Sequence, residues 1–240
     1  MAKLNINNLH ISYENEGNIV EAINNLSTVI PDKKITVIIG KSGCGKTTLL
    51  KAILGLIKID SGSIFVDEND ISNITTQNRN FSYISQNVVL FPHLTIFDNI
   101  ALPLKEKKVK SPLIYEKIKQ ISKIFEIDKL LSRKPKQLSA GQQQKVLLAK
   151  SLIKDSKLYL FDEPFANLDD VTRRKLRMYL RCYQEENELS IIFVTHKIDE
   201  AISLADNLIV MDEGKIVAQG NPQDIYDFST EKAVKDLIEN

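Results

Sequence analysis

Three groups of residues, far apart in this chain, have the types and spacing to do chemistry on a phosphate. They are Gly40-Lys41-Ser42-Gly43-Cys44-Gly45-Lys46-Thr47-Thr48, the dipeptide Asp162-Glu163 and the lone His196. The first follows the phosphate-binding-loop spacing of a Gly, four residues, then Gly-Lys-Thr. Its glycines let the backbone turn N–H groups inward, and a helix starting there adds the positive end of its dipole. Lys46 is expected to reach the β- and γ-phosphates of a nucleotide, and the Thr47 hydroxyl to sit on Mg²⁺. Asp162-Glu163 ends the apolar run Leu158-Tyr159-Leu160-Phe161. Ionised carboxylates at the end of a buried strand are costly unless a cation is near, which argues for Mg²⁺. Asp162 is expected to hold the metal through water, and Glu163 to take the proton from an attacking water.

The elements around these groups read as an open α/β sheet. Ile35 to Ile39 is a β-branched run of strand length, and Thr48 to Leu54 a buried helix closed by Gly55. Phe81 to Ser85 is a strand that delivers Gln86, and Ser190 to Val194 a strand that delivers Thr195-His196. Ligands in such sheets collect at the carboxyl ends of strands, which puts Gln86, the glycine loop, Glu163 and His196 together. Leu9, Ile11 and Tyr13 alternate on one strand face; Tyr13 reads as an edge aromatic closing the core or as a ring on which adenine stacks. With Ile19 to Val29 and Ser63 to Val66 it predicts a small antiparallel sheet.

Helical spacing recurs from Tyr115 to Leu131. Ser139 with Gln142 forms a capping box that starts a helix to about Ile153, and Gly141 keeps its first turn slim, making a second anion-binding helix start. A charged helix follows from Val171 to Glu186, then a helix from Ile198 to Ala205. Leu208 to Met211 turns at Asp212 to Lys215 into Ile216 to Ala218, and Asn221-Pro222 opens a helical tail. Residues 87 to 100 read as an unusually apolar connection, packed under the next lobe or exposed as a binding patch. His93 has no second ligand in view and reads as a surface or structural residue, and the basic run from Lys105 to Lys110 as a solvated face or a contact for lipid headgroups or nucleic acid.

Composition narrows the classes. The chain has 240 residues, 43% hydrophobic and 26% charged, enough for a large core. Its 32 basic and 31 acidic residues leave a net charge of +1, so nucleic acid, which calls for a basic excess, is disfavoured as a partner. No run approaches a membrane span, and the N-terminus lacks the apolar core of a signal peptide. Cys44 and Cys182 form neither a disulfide framework nor a metal spacing, which fits a reducing cytoplasm. Because Cys44 lies in the glycine loop, its alkylation is expected to block nucleotide binding and ATP to protect it.

Taken in order, Gly40 to Thr48, Gln86, Leu138 to Gln142, Leu160 to Pro164, Leu168-Asp169 and His196 resemble the ATP-binding-cassette ATPase domain along essentially the whole chain. The resemblance implies a RecA-like P-loop core (residues 1–86 and 157–240) with an N-terminal antiparallel β-subdomain and an inserted α-helical subdomain (87–156). It implies ATP and Mg²⁺ as cofactors, and a head-to-tail dimer with a second copy in which Ser139, Gly141 and Gln142 grip the γ-phosphate held by the other copy's loop. By position, Tyr13 matches the adenine-stacking ring; Gly40, Lys41, Ser42, Gly43, Cys44, Gly45, Lys46, Thr47 and Thr48 match the nucleotide contacts. Thr47, Gln86 and Asp162 match the metal residues, Gln86 also sensing the attacking water. Glu163 matches the general base, Asp169 the residue signalling across the dimer and His196 the γ-phosphate switch. Ala140 departs from the usual Gly, Lys145 from a frequent Arg, and Asn167 before Leu168 matches importers. The stretch from Gln86 to Asn99 is similar to that of bacterial importers, where it receives a permease subunit. The implied function is ATP hydrolysis driving solute transport, as import of amino acids or another small polar solute, at the cytoplasmic membrane face with an extracytoplasmic solute-binding protein. A soluble family member, such as an iron–sulfur assembly ATPase, would keep the phosphate motifs without a docking segment.

Overall fold

In the computed structural model, residues 3–15, 18–85, 90–166, 168–228 and 234–235 are described. Two kinds of strand build two sheets. Strands β3 (Ile35–Ile39), β7 (Leu158–Asp162) and β8 (Ile191–Val194) are buried at every residue. Such unbroken apolar runs suit a parallel sheet covered on both faces. They lie in a six-stranded sheet ordered β10-β9-β3-β8-β7-β6, with β6 (Phe81–Ile84), β9 (Asn207–Asp212) and β10 (Lys215–Gly220). All neighbours are parallel except β9 and β10, the expected hairpin. Strands β1 (Leu4–Asn15) and β2 (Asn18–Ile30) instead alternate buried and exposed positions over much of their length, as an antiparallel sheet with one wet face does. With β4 (Ser61–Val66) and β5 (Asn69–Asp70) they form the sheet β2-β1-β4-β5.

Successive residues of a strand face opposite ways, so the parallel sheet divides the interior into two cores. Ile35, Val37, Ile39 and Phe161 face the core packed by helices α3 to α7, while Ile38, Leu160 and Val194 face α1 (Lys46–Leu54) and the antiparallel sheet. The helices of the first core are α3 (Ile96–Glu106), α4 (Ser111–Ile124), α5 (Ala140–Leu152), α6 (Asp170–Asn187) and α7 (Ile198–Leu204). Short α2 (Thr76–Arg79) precedes β6, and α8 (Pro222–Phe228) follows β10.

Helix α3 corrects the reading of residues 87 to 100 as a connection. Thr95 caps it by accepting the Asp98 N–H at 3.0 Å, and Ile96, Ile100 and Leu104 are buried at four-residue spacing. Pro103 sits inside this helix and hides its pattern in the sequence, since proline normally ends a helix. The basic run is also less free than expected: Lys105 and Glu106 close α3, and the Lys107 ammonium donates to the Asp155 carbonyl at 2.8 Å.

Candidate nucleotide site

Parallel strands emerge at one edge, and the glycine loop follows β3 there. Gly43 and Gly45 have φ of +82° and +101°, the left-handed region where a Cβ is penalised. Gly45 also lies so close to β2 that a Cβ would meet the Ala22 carbonyl. The loop therefore presses against the antiparallel sheet before delivering α1. Lys46 is only 7% exposed, and its ammonium donates to the Gly40 carbonyl at 2.7 Å and the Lys41 carbonyl at 2.8 Å. A buried cation whose partners are neutral groups, chiefly carbonyls, has unspent attraction for an anion.

The carboxylates arrive on β7. Asp162, 6% exposed, accepts from the Thr47 hydroxyl at 3.0 Å, and Tyr83 Oη lies 3.5 Å from the same oxygen. Burial pushes the Asp162 carboxyl above its ordinary range, the Thr47 hydroxyl pulls it down, and the Glu163 charge adds to the rise. Burial, with Asp162 beside it, pushes the Tyr83 phenol up to about 12. A buried carboxylate whose hydrogen-bond partners are hydroxyls, and which stays above its ordinary range despite the Lys46 charge nearby, fits Mg²⁺. Next in sequence, Glu163 has φ +48°, a left-handed conformation that costs a non-glycine residue roughly 1–3 kcal/mol. Its N–H is held by the Val194 carbonyl at 3.0 Å. The strained turn brings the Glu163 carboxylate 3.2 Å from His196 Nδ1, at the end of β8.

These side chains share one cavity of about 480 Å³, lined by Ser42, Gly43, Gly45, Lys46, Thr47, Thr48, Asp162, Glu163 and His196. Ala22 also lines it, a residue the sequence reading missed, because only its backbone approach to Gly45 and Gly214 marks it. Tyr83 was read only as a strand residue; its period-two position facing Asp162 was the available signal. Gly40, Lys41 and Cys44 belong to the loop but do not line the cavity. Cys44 is 5% exposed, and its sulfur lies 3.7 Å from Lys46 Nζ. Burial raises its thiol pKa, with Lys46 opposing. Burial makes Cys44 a slower target than its place in the loop suggests: the sulfur points into the fold, packed against Gly40.

Other expected residues lie elsewhere. Tyr13 is 40% exposed near the end of β1, paired across the sheet with Val20. Ser139 caps α5: its Oγ accepts from the Gln142 N–H at 3.3 Å while Gln142 Oε1 accepts from the Ser139 N–H at 3.0 Å. Asp169 caps α6 through the Thr172 N–H at 2.9 Å. The two helix starts touch, since a Cβ on Gly141 would come 2.9 Å from Thr172 Cγ2. Neither start lines the cavity. Gln86 and Asn167 lie outside the described residues. His93 is exposed beside the Phe91 ring, and no cluster of metal-ligating residues occurs among the described residues.

Comparison with known proteins places this geometry among relatives. A family profile described as ABC transporter matches residues 23–166. The sn-glycerol-3-phosphate import ATP-binding protein UgpC of Psychromonas ingrahamii is 37% identical over 95% of this chain and 60% of its own length. The oligosaccharides import ATP-binding protein MsmX of Bacillus subtilis is 35% identical over 95% of this chain and 62% of its own. Molybdate/tungstate import ATP-binding protein WtpC of Pyrococcus horikoshii is 43% identical over 79% of this chain and 55% of its own. This chain thus spans about 60% of the length of these curated relatives. Among solved structures, the ATP-binding cassette MJ0796, a dimer in a post-hydrolysis state with ADP and phosphate, superposes with a TM-score of 0.81. The sequences are 26% identical, and the likeness covers 91% of this chain and 98% of that one.

Proposed function

We infer that this chain, which belongs to the ABC transporter family, binds and hydrolyses ATP as the motor subunit of a transporter, two copies closing head to tail over two nucleotides. The observation that carries this reading is the convergence of Lys46, Thr47, Asp162, Glu163 and His196, from three distant stretches of chain, on one cavity.

The loop N–H groups and Lys46 take the triphosphate, the ammonium turning from loop carbonyls to phosphate oxygens. Thr47 and Asp162 would hold Mg²⁺, which would offset the negative charge of the β- and γ-phosphates. Glu163 accepts a proton from water as the water oxygen bonds to the γ-phosphorus and the bond to the bridging oxygen breaks, releasing ADP and phosphate. His196 fixes that carboxylate from 3.2 Å and would contact the γ-phosphate from the same cavity. Gln86 senses the metal and water, and Tyr13 stacks on adenine with Val20 beside it. From the second copy, Ser139, Gly141 and Gln142 close on the γ-phosphate, and Asp169 reports across the interface.

Import is favoured by the relatives, which are import ATP-binding proteins. Their solutes, a phosphate ester, oligosaccharides and oxyanions, support a small polar solute and lend nothing to amino acids in particular. A permease would dock on residues 86–99 in a helical subdomain spanning 87–156. In support, Phe91 is 43% exposed, and the Lys150 ammonium 4.7 Å from its ring centroid belongs to a residue lining a cleft of about 460 Å³ between β6, α3 and α5. Leu90, Ile96 and Ile100 are buried instead, so the docking surface is narrower than the whole apolar segment. Attachment at the cytoplasmic membrane face comes through that permease, with a solute-binding protein outside; among the described residues no helix is long and apolar enough to cross a membrane.

Glu163→Gln tests the reading. Removing a positioned base lowers turnover by roughly 10²- to 10⁴-fold, while ATP affinity holds and light scattering finds a dimer in ATP. A variant that turns over ATP at the wild-type rate would defeat the assignment.

A further inference from the structure

The loop carrying Glu163 and the loop carrying His196 meet twice, once at the catalytic pair and again in the protein interior. At the interior meeting, Arg173 of α6 and Glu200 of α7 are 5% and 3% exposed. One guanidinium nitrogen, Nη2, donates to the Leu168 carbonyl at 2.6 Å and another, Nη1, to Asp170 Oδ1 at 2.6 Å. Arg173 Nε stands 3.0 Å from Glu200 Oε1, at ion-pair distance but without the alignment of a hydrogen bond. The other carboxylate oxygen of Glu200 accepts from the Thr195 hydroxyl at 2.6 Å. Thr195 directly precedes His196, and its hydroxyl also accepts the Lys197 N–H at 3.1 Å.

These contacts close a ring. Chain runs from Glu163 through the turn to Leu168, side chains lead through Arg173 and Glu200 to Thr195, and His196 returns to Glu163 at 3.2 Å. A buried ion pair is a poor source of net stability, because desolvating both charges offsets most of their attraction. Apolar residues would fill the space as well for folding alone. What an ion pair supplies and a methyl cluster does not is direction: the guanidinium fork fixes the Leu168 carbonyl, and the carboxylate fixes the Thr195 hydroxyl.

We propose that Arg173 and Glu200 are positioning residues, an internal strut that sets the spacing between the turn carrying Glu163 and Asp169 and the turn carrying His196. The inference rests on the ATPase reading and extends it: neither residue touches the nucleotide cavity, yet the register of its base and its switch depends on both. Asp169 is the residue after Leu168, so the same strut ties the dimer-facing end of α6 to the hydrolytic end of β8.

The test compares Glu200→Gln and Arg173→Lys with the apolar double variant Arg173→Met/Glu200→Leu in the full chain. Two measurements are made: steady-state ATPase kinetics, and the NMR signal of the His196 imidazole, assigned by its loss in His196→Ala. In the wild type, Glu163→Gln shifts that signal because the two side chains touch. With the strut gone the shift is lost, kcat falls about 10- to 100-fold, as misplacement of a catalytic group by an ångström does, and KM moves less than threefold. The double variant recovers the thermal midpoint but neither kcat nor the His196 response. Recovery of both along with the midpoint would overturn the proposal, leaving the pair as packing. Should the wild type itself fail to hydrolyse ATP, the ATPase reading falls, and the His196 response still decides the strut.

Discussion

On the proposed reading two helix starts in this chain attract anions, and their surroundings differ sharply. The start of α1 is walled in: Ala22 of β2, Asp162 at the end of β7, Glu163 just after it and His196 after β8 enclose it, and Lys46 is nearly buried. The start of α5 faces outward, with Ser139 and Ala140 exposed and its side chains spent on capping each other. A buried cation needs its partners in place before the anion comes, so this half of the site is built within one chain. An exposed helix start has no such requirement, and on the proposed reading it stays open so that another copy's nucleotide can reach it.

That contrast is broken most directly by removing one residue from each side. Lys46→Met is expected to weaken ATP binding by about 10²- to 10³-fold, the worth of one or two charge-assisted hydrogen bonds. Ser139→Ala costs α5 about 1 kcal/mol of capping yet leaves ATP affinity of the chain unchanged, since Ser139 lies outside the cavity. Each variant alone should be inactive. Mixed in equal amounts they should regain about a quarter of wild-type ATPase, because random pairing in a two-fold dimer yields one intact site in half the dimers. Fluorescent-nucleotide titration and a phosphate-release assay read the two results; if the mixture is as inactive as its components, the outward-facing start is not half of a shared site.

A smaller effect sharpens the contrast at Gly141. Slimness there has two explanations: room for a phosphate from outside, or room for Thr172 within the chain. A Cβ would stand 2.9 Å from Thr172 Cγ2, and overpacking of this kind costs about 1–3 kcal/mol, against up to about 1 kcal/mol gained from replacing a helical glycine by alanine. Gly141→Ala should therefore lower the urea midpoint, and adding Thr172→Ser, which deletes the crowding methyl, should restore it. ATPase activity that stays low after the midpoint recovers would assign the glycine to the phosphate as well; a midpoint unmoved by Gly141→Ala would remove the intrachain explanation.

Much of this was legible in the sequence because chemistry and local structure coincide there. The glycine loop is flanked by a β-branched run and an apolar helix; Ser139 and Gln142 have capping-box spacing; and the runs at 35–39, 158–162 and 191–194 could be little else than buried parallel strands. The fold class, the antiparallel sheet, the hairpin at Asp212 to Lys215 and the convergence of Lys46, Thr47, Asp162, Glu163 and His196 follow from those patterns. What was not legible depends on contacts between distant residues. Helix α3 was hidden by Pro103, whose missing N–H is tolerated where the helix packs through Ile96, Ile100 and Leu104. Ala22 reaches the site only because β2 crosses Gly45, and the link from Arg173 to Glu200 joins residues on two helices with no motif between them. Gln86, prominent in the sequence, lies outside the described residues.

Cys44 is where loop membership and burial point in opposite directions, and it yields the smallest effect. As a loop residue it was expected to react; as a buried one, packed against Gly40 and 3.7 Å from the Lys46 ammonium, it should resist. Burial raises its thiol pKa above the ordinary value despite Lys46, so at neutral pH less of it is the reactive thiolate than in a free cysteine. Cys182, exposed on α6, provides the internal reference. A thiol titration of the native chain should release one equivalent quickly from Cys182 and a second slowly from Cys44. The slow phase should accelerate as pH rises toward the displaced thiol pKa, and in urea as the loop opens. ATP should slow it further by holding the loop closed, with no effect on the fast phase. Two equally fast thiols would mean that the glycine loop is as open as the start of α5, and the contrast between a prebuilt half-site and an open one would lose its structural basis.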